Sequence, residues 1–198
     1  MKPKLILSNR LKINLIHISS ASSKFHNIMN SKVDYGFTKL KADQFIIEQS
    51  KLINNFNYLI IRPGMIISHN TKNKFIYFLN YIFSKKFFLL VNPSPQFLLT
   101  DIDDLNSLLI ESLDSNLNKI SNLFYCINLN DLIISLENNM NIKIKLKKMP
   151  NLFLKALKPI INLNKNIKNL FLKYDDLKED KLNSKMIDKI KSSIINFK

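Results

Sequence analysis

A chain of 198 residues with two glycines, one cysteine and no tryptophan has room for one domain with a real core, or one plus a small appendage, but carries neither a glycine-rich phosphate loop nor a disulfide framework. With 46% hydrophobic and 23% charged residues its composition is that of a globular protein. The net charge of +15 is a matter of composition: Lys, Asn, Ile and Leu, all with A/T-rich codons, make up more than half the chain. Arg, the residue suited to bidentate contacts with guanine or phosphate, occurs only at Arg10 and Arg62, so no nucleic-acid partner is expected.

Taken in chain order, Met1 to Lys4 lacks the apolar core and small-residue cleavage site of a secretory signal. Ile13 to Ser19 reads as a short buried strand that ends in the polar cluster Ser19 to Lys24. From about Asp34 to Lys51, Phe37, Leu40, Phe45, Ile47 and Leu52 recur at helical spacing, and Asn54-Asn55 breaks the pattern. Tyr58-Leu59-Ile60-Ile61 is a fully buried strand stopped by Arg62-Pro63-Gly64. Strand, helix and strand within about fifty residues make a βαβ unit, hence a parallel sheet with a right-handed crossover.

Further along, Phe75 to Phe83 reads as a helix and Phe87 to Val91 as a strand. The stretch Phe75 to Val91 is interrupted by Lys85-Lys86 and is too short to span a bilayer, so no transmembrane segment is expected and the setting is cytoplasmic. Thr100-Asp101-Ile102-Asp103-Asp104 opens a helix running to Leu113, with Asp supplying cap oxygens and charge at its positive end. Leu123 to Ile127 is one strand containing Cys126 as a buried thiol, Asp131 to Asn138 a helix, and Ile142 to Leu146 a half-exposed strand. After Pro150 the chain turns helical and basic, with Pro159 ending a helix near Leu157. The expected division is an α/β domain over 1–150 and a basic helical extension over 151–198. The basic helices leave contact with an anionic membrane surface as a further option.

Three features line up as a site. Ser19-Ser20-Ala21-Ser22 follows a strand at the end where open α/β sheets place ligands. Tyr35 and Lys39, one turn apart, open the next helix on one face. Arg62-Pro63-Gly64 ends the following parallel strand on the same sheet edge. Each has a plain structural alternative: a strand-end cap, a helix-start aromatic beside a solvated lysine, and a strand terminator. Asp101, Asp103 and Asp104 read as a capping turn, and His17, His26 and His69 share no ligand spacing, so no metal is expected; His17 reads as a core residue of its strand.

In this order, "LIHISSAS", "YGFTKLKADQFI" and "YLIIRPGMII", with the later "LLTDIDDLNSLLIESL", resemble the NAD-dependent epimerase/dehydratase family of extended short-chain dehydrogenases/reductases that act on nucleotide sugars. The segment "NLFLKYDDLKEDKLNSKMI" is similar to the tail of members that act on UDP-linked sugars. The resemblance implies the C-terminal part of a Rossmann-like parallel sheet followed by a mainly helical substrate-binding portion. It implies Tyr35 as the general acid/base and Lys39 as the cation beside it that also meets the nicotinamide ribose; a phenol titrating near 10 needs such a neighbour. Ser20 would hold the reacting oxygen, with Ser22 close by; Pro63 would lie against the nicotinamide, and Arg62 and Gly64 would help shape the sugar pocket. The implied cofactor is NAD and the implied ligand a UDP-sugar. The family's dinucleotide fingerprint lies well upstream of its serine segment, and these 198 residues begin just before theirs. The expectation is a truncated or split form, completed by a separate N-terminal half or a homo-oligomer, or else a non-catalytic homologue serving as an interaction module.

Overall fold

A computed structural model describes residues 12–25, 35–90, 92, 94–113, 117–148, 177, 180 and 183–195. These fall into two compact units, one drawn from the stretches up to Gly64 and Asp103–Phe124, the other from Met65–Ile102 and the stretches from Tyr125 onward.

The first unit contains strand β1 (Ile13–Ile18), helices α1 (Ala21–Lys24) and α2 (Tyr35–Leu52), and strand β2 (Phe56–Pro63). Its sheet has the order β1-β2-β6, where β6 is Lys119–Leu123, and both pairings are parallel. The expected βαβ unit is therefore present, with Ile13 opposite Phe56 and Ile18 opposite Ile61. Leu59, Ile60 and Ile61 are all fully buried because β2 is the middle strand, covered on both faces. Ile46 of α2 packs against Phe56 and Ile60, with Ile13, Leu15 and Ile47 at the margin. Helix α4 (Ile102–Leu113) belongs to this unit from Asp103 onward.

Arg62 and Pro63 lie inside β2 rather than beyond its end. Proline has no N–H to donate to a ladder and is therefore disfavoured inside a central strand. The register explains the exception: pairing with β1 stops at Ile61, and Pro63 faces only Leu123 of β6. Within the polar cluster Ser19 to Lys24, residues Ala21–Lys24 form the short helix α1.

In the second unit, β3 (Met65–Ile67) pairs in parallel with β5 (Gln96–Asp101), which pairs antiparallel with β7 (Tyr125–Asn128). A separate parallel pair joins β4 (Phe87–Leu90) to β8 (Lys145–Lys148). Helices α3 (Lys74–Lys85), α5 (Leu129–Met140) and α6 (Ser184–Ile195) close the core, in which Ile76, Leu79, Leu132, Ile133, Leu136 and Ile190 are wholly buried. Burying such a side chain contributes about 1.5–3 kcal/mol. The helix expected to end near Leu157 lies outside the described residues.

Three boundaries depart from the sequence reading. Thr100 and Asp101, read as a helix start, are the last residues of β5; both are buried and pair with Ile66 and Ile67, so the helix begins at Ile102. The apolar run Leu123 to Ile127 is split at Phe124 between β6 and β7, which belong to different sheets. Strand β8 starts at Lys145, because Ile144 turns into the core and its N–H donates to Glu137 Oε1 at 2.8 Å.

Asparagine takes over work usually given to glycine. Asn55, Asn70, Asn118 and Asn141 hold positive φ, whereas neither glycine does. Asparagine tolerates the left-handed region better than most residues. Asn73, Asn128 and Asn183 also accept backbone N–H bonds at the starts of α3, α5 and α6.

Candidate functional site

The C-terminal end of β1 leads directly into the serine turn. Ser19 N–H donates to Ile61 O at 2.7 Å, continuing the parallel pairing one residue past the strand. Ser20 then caps α1: its Oγ accepts from Ser22 N–H at 3.3 Å and lies 2.8 Å from Ser22 Oγ. Ser23 Oγ shares its proton between Ser20 O at 2.8 Å and Asp43 Oδ2 at 3.3 Å.

Helix α2 starts against this turn. A Cβ on Gly36 would stand 2.5 Å from the Ser22 carbonyl oxygen, so only glycine permits the approach. Tyr35 is the first residue of the helix and its side chain is largely exposed. Lys39 Nζ donates to Ile18 O, at the end of β1, at 3.2 Å and sits 5.6 Å from the Tyr35 ring centroid. Thus Ser20, Ser22, Tyr35 and Lys39, from two separate segments, are gathered at one end of the parallel sheet.

Arg62 is engaged within the protein. Its Nε and Nη2 donate to Asp43 Oδ2 at 2.9 and 2.8 Å. Pro63 is buried as the last residue of β2, and Gly64 follows it. Among the described residues no cluster of three or more His, Cys, Asp or Glu gathers. No helix of the described residues is long and apolar enough to cross a membrane.

Asp43 is the residue that sequence reasoning passed over. Its side chain is 1% exposed, yet it meets Arg62, Ser23 and His17. The available signal was spacing: Tyr35, Lys39 and Asp43 recur every four residues along one stripe of the helix. His17, read as a core residue, is only half-buried, with Nε2 3.5 Å from Asp43 Oδ1. Neither of these two atoms has a hydrogen-bond partner among the described residues. Burial lowers the His17 pKa below 6.5; the Asp43 charge opposes this and the Lys39 charge reinforces it.

No family model and no curated protein matches the chain. Among solved structures it is similar to RMD from Pseudomonas aeruginosa complexed with NADPH, at 11% identity over 92% of this chain and 67% of that one, with a TM-score of 0.56. It is similar to UDP-N-acetylglucosamine 4-epimerase from Methanobrevibacter ruminantium M1 in complex with UDP-N-acetylmuramic acid, at 12% identity over 93% of this chain and 62% of that one, TM-score 0.57. The PhqB reductase domain from Penicillium fellutanum aligns at 14% identity over 92% of this chain and 56% of its own, TM-score 0.63. This chain thus spans roughly half to two thirds of these structures and shares with them a Rossmann-like α/β fold.

Proposed function

We propose that the chain is the catalytic and substrate-binding part of an NAD-dependent enzyme of the epimerase/dehydratase type, acting on a nucleotide sugar, with a UDP-sugar favoured. The observation that carries this reading is the approach of Gly36 to the Ser22 carbonyl, which starts the Tyr35/Lys39 helix against the serine turn. In such an arrangement Ser20 donates a hydrogen bond to the reacting sugar oxygen. Tyr35 takes or returns that oxygen's proton, and the Lys39 ammonium stabilises the charge that develops on the phenol oxygen. The nicotinamide, when bound, supplies the hydride acceptor and donor.

Tested against the residues present, the cofactor fits at one end. Lys39, whose Nζ reaches the end of β1, would meet the nicotinamide ribose; Pro63 is buried as the last residue of β2. The pyrophosphate end does not fit, because neither glycine forms a phosphate loop: Gly36 is packed on Ser22 and Gly64 follows β2. The proposal therefore assigns pyrophosphate binding to residues outside these 198, in a separate N-terminal half.

The test is turnover of UDP-sugars with NAD, followed by nicotinamide absorbance and product analysis. It is run on the chain alone and with a polypeptide carrying a G-x-x-G-x-x-G segment. Turnover that needs the second polypeptide and falls at least a hundredfold in Tyr35→Phe supports the reading. Unchanged turnover in Tyr35→Phe overturns the catalytic assignment, and tight NAD binding by the chain alone in calorimetry overturns the account of the pyrophosphate. A well-folded pair with no turnover leaves the non-catalytic interaction module.

A further inference from the structure

Asp43 joins four elements: it lies on α2, accepts from Arg62 on β2 and Ser23 on α1, and faces His17 on β1. If holding α2 to the sheet were all it did, charge would be a poor choice, since an apolar pair of similar volume serves as well or better in a buried site. Among the described residues the polar arrangement also leaves a buried oxygen, Oδ1, without a hydrogen-bond partner. What an apolar residue could not do is receive the Ser23 hydroxyl, whose other acceptor is the Ser20 carbonyl.

We propose that Asp43 is a positioning residue: its carboxylate, held in place by Arg62, draws in Ser23 and so sets where the Ser20 and Ser22 hydroxyls stand against the start of α2. This explains why Arg62, at the sheet end expected to face substrate, turns to Asp43. Among the described residues, the charged and titratable groups against the carboxylate are Arg62 on β2 and His17 on β1, and Lys39 acts on His17 from the same helix as Asp43. The catalytic meaning of the proposal rests on the function proposed above; its structural content does not.

The test compares the full chain with Asp43→Asn, Ser23→Ala and Ile60→Val. The last trims a side chain of the core that α2 covers and leaves Asp43, Arg62 and Ser23 in place. Amide hydrogen exchange is read at Ser23, whose N–H donates to Ser20 O at 3.0 Å, relative to the amides of β2. Asp43→Asn and Ser23→Ala are expected to speed Ser23 exchange at least tenfold relative to β2, and Ile60→Val to leave the ratio unchanged. The His17 imidazole, followed by NMR, is expected to titrate at lower pH in Asp43→Asn, because the carboxylate charge that favours its protonated form is gone. Equal ratios in all four proteins, or equal loosening in Ile60→Val, overturn the proposal; if Asp43→Asn does not fold, Ser23→Ala decides it. Where turnover is present, Ser23→Ala is expected to lower kcat at least tenfold with little change in KM. Absence of turnover in the parent protein supplemented with the G-x-x-G-x-x-G polypeptide would overturn the proposed function and leave the exchange result standing.

Discussion

Arg62 and Asp43, nineteen residues apart, meet through two nitrogens on one carboxylate oxygen, Nε at 2.9 Å and Nη2 at 2.8 Å. The Asp43 side chain is 1% exposed and that of Arg62 12%. Removing one member of so buried a pair strands the other charge. Arg62→Met is therefore expected to cost about 3–5 kcal/mol, read as a lower urea midpoint at unchanged slope. The double variant Arg62→Met/Asp43→Leu is expected to recover most of the loss; a double variant as unstable as the single would show that the charge is not what matters.

Gly36→Ala sets helix propensity against sterics. Alanine in a helix gains about 1 kcal/mol over glycine, but the new Cβ would meet a backbone oxygen at 2.5 Å. Overpacking against backbone costs about 1–3 kcal/mol, so net destabilisation is expected in thermal unfolding, with faster amide exchange in the Ser20–Ser23 turn. A stabilised Gly36→Ala protein would contradict the described approach of α2.

The pH dependence of stability follows from His17. Its folded pKa lies below 6.5, so between the two values the unfolded chain binds more protons than the folded one. The contribution of His17 is fully present above 6.5 and is lost as pH falls from 6.5 through the folded value. His17→Gln is expected to flatten that part of the profile in urea titrations run between pH 7.5 and 5. An unchanged slope in the variant would rule His17 out as its source.

Lys189 of α6 forms an ion pair with Asp101 at the end of β5, and both side chains are 3% exposed. Lys189→Met alone is expected to destabilise by about 3–5 kcal/mol, since Asp101 then remains buried without that cation. Loss of the α6 fraction of helical circular dichroism at lower denaturant would report it. A wild-type midpoint would mean that Asp101 keeps sufficient partners without Lys189.

The βαβ unit was legible because its signals are local. The Ile60-Ile61 run marks a strand buried on both faces, and Phe37 to Leu52 recurs at helical period. The Ser20, Tyr35 and Lys39 segments were legible as a pattern in order, and the structure brings them to one end of the sheet. The strands β3 and β5 were not, because Met65–Ile67 and Gln96–Asp101 are short and Asp101 resembles a helix cap until its pairing is known.

Glycine scarcity, asparagine at the turns and caps, and the alternation of strand and helix are properties of the chain itself, since each depends on neighbours a few residues away. Which lysine is solvated and which is buried against Asp101, which arginine is occupied by an aspartate, and where one apolar run divides between two sheets were settled by the tertiary structure alone. Charge pairing and sheet register depend on residues distant in sequence, and composition treats every lysine alike.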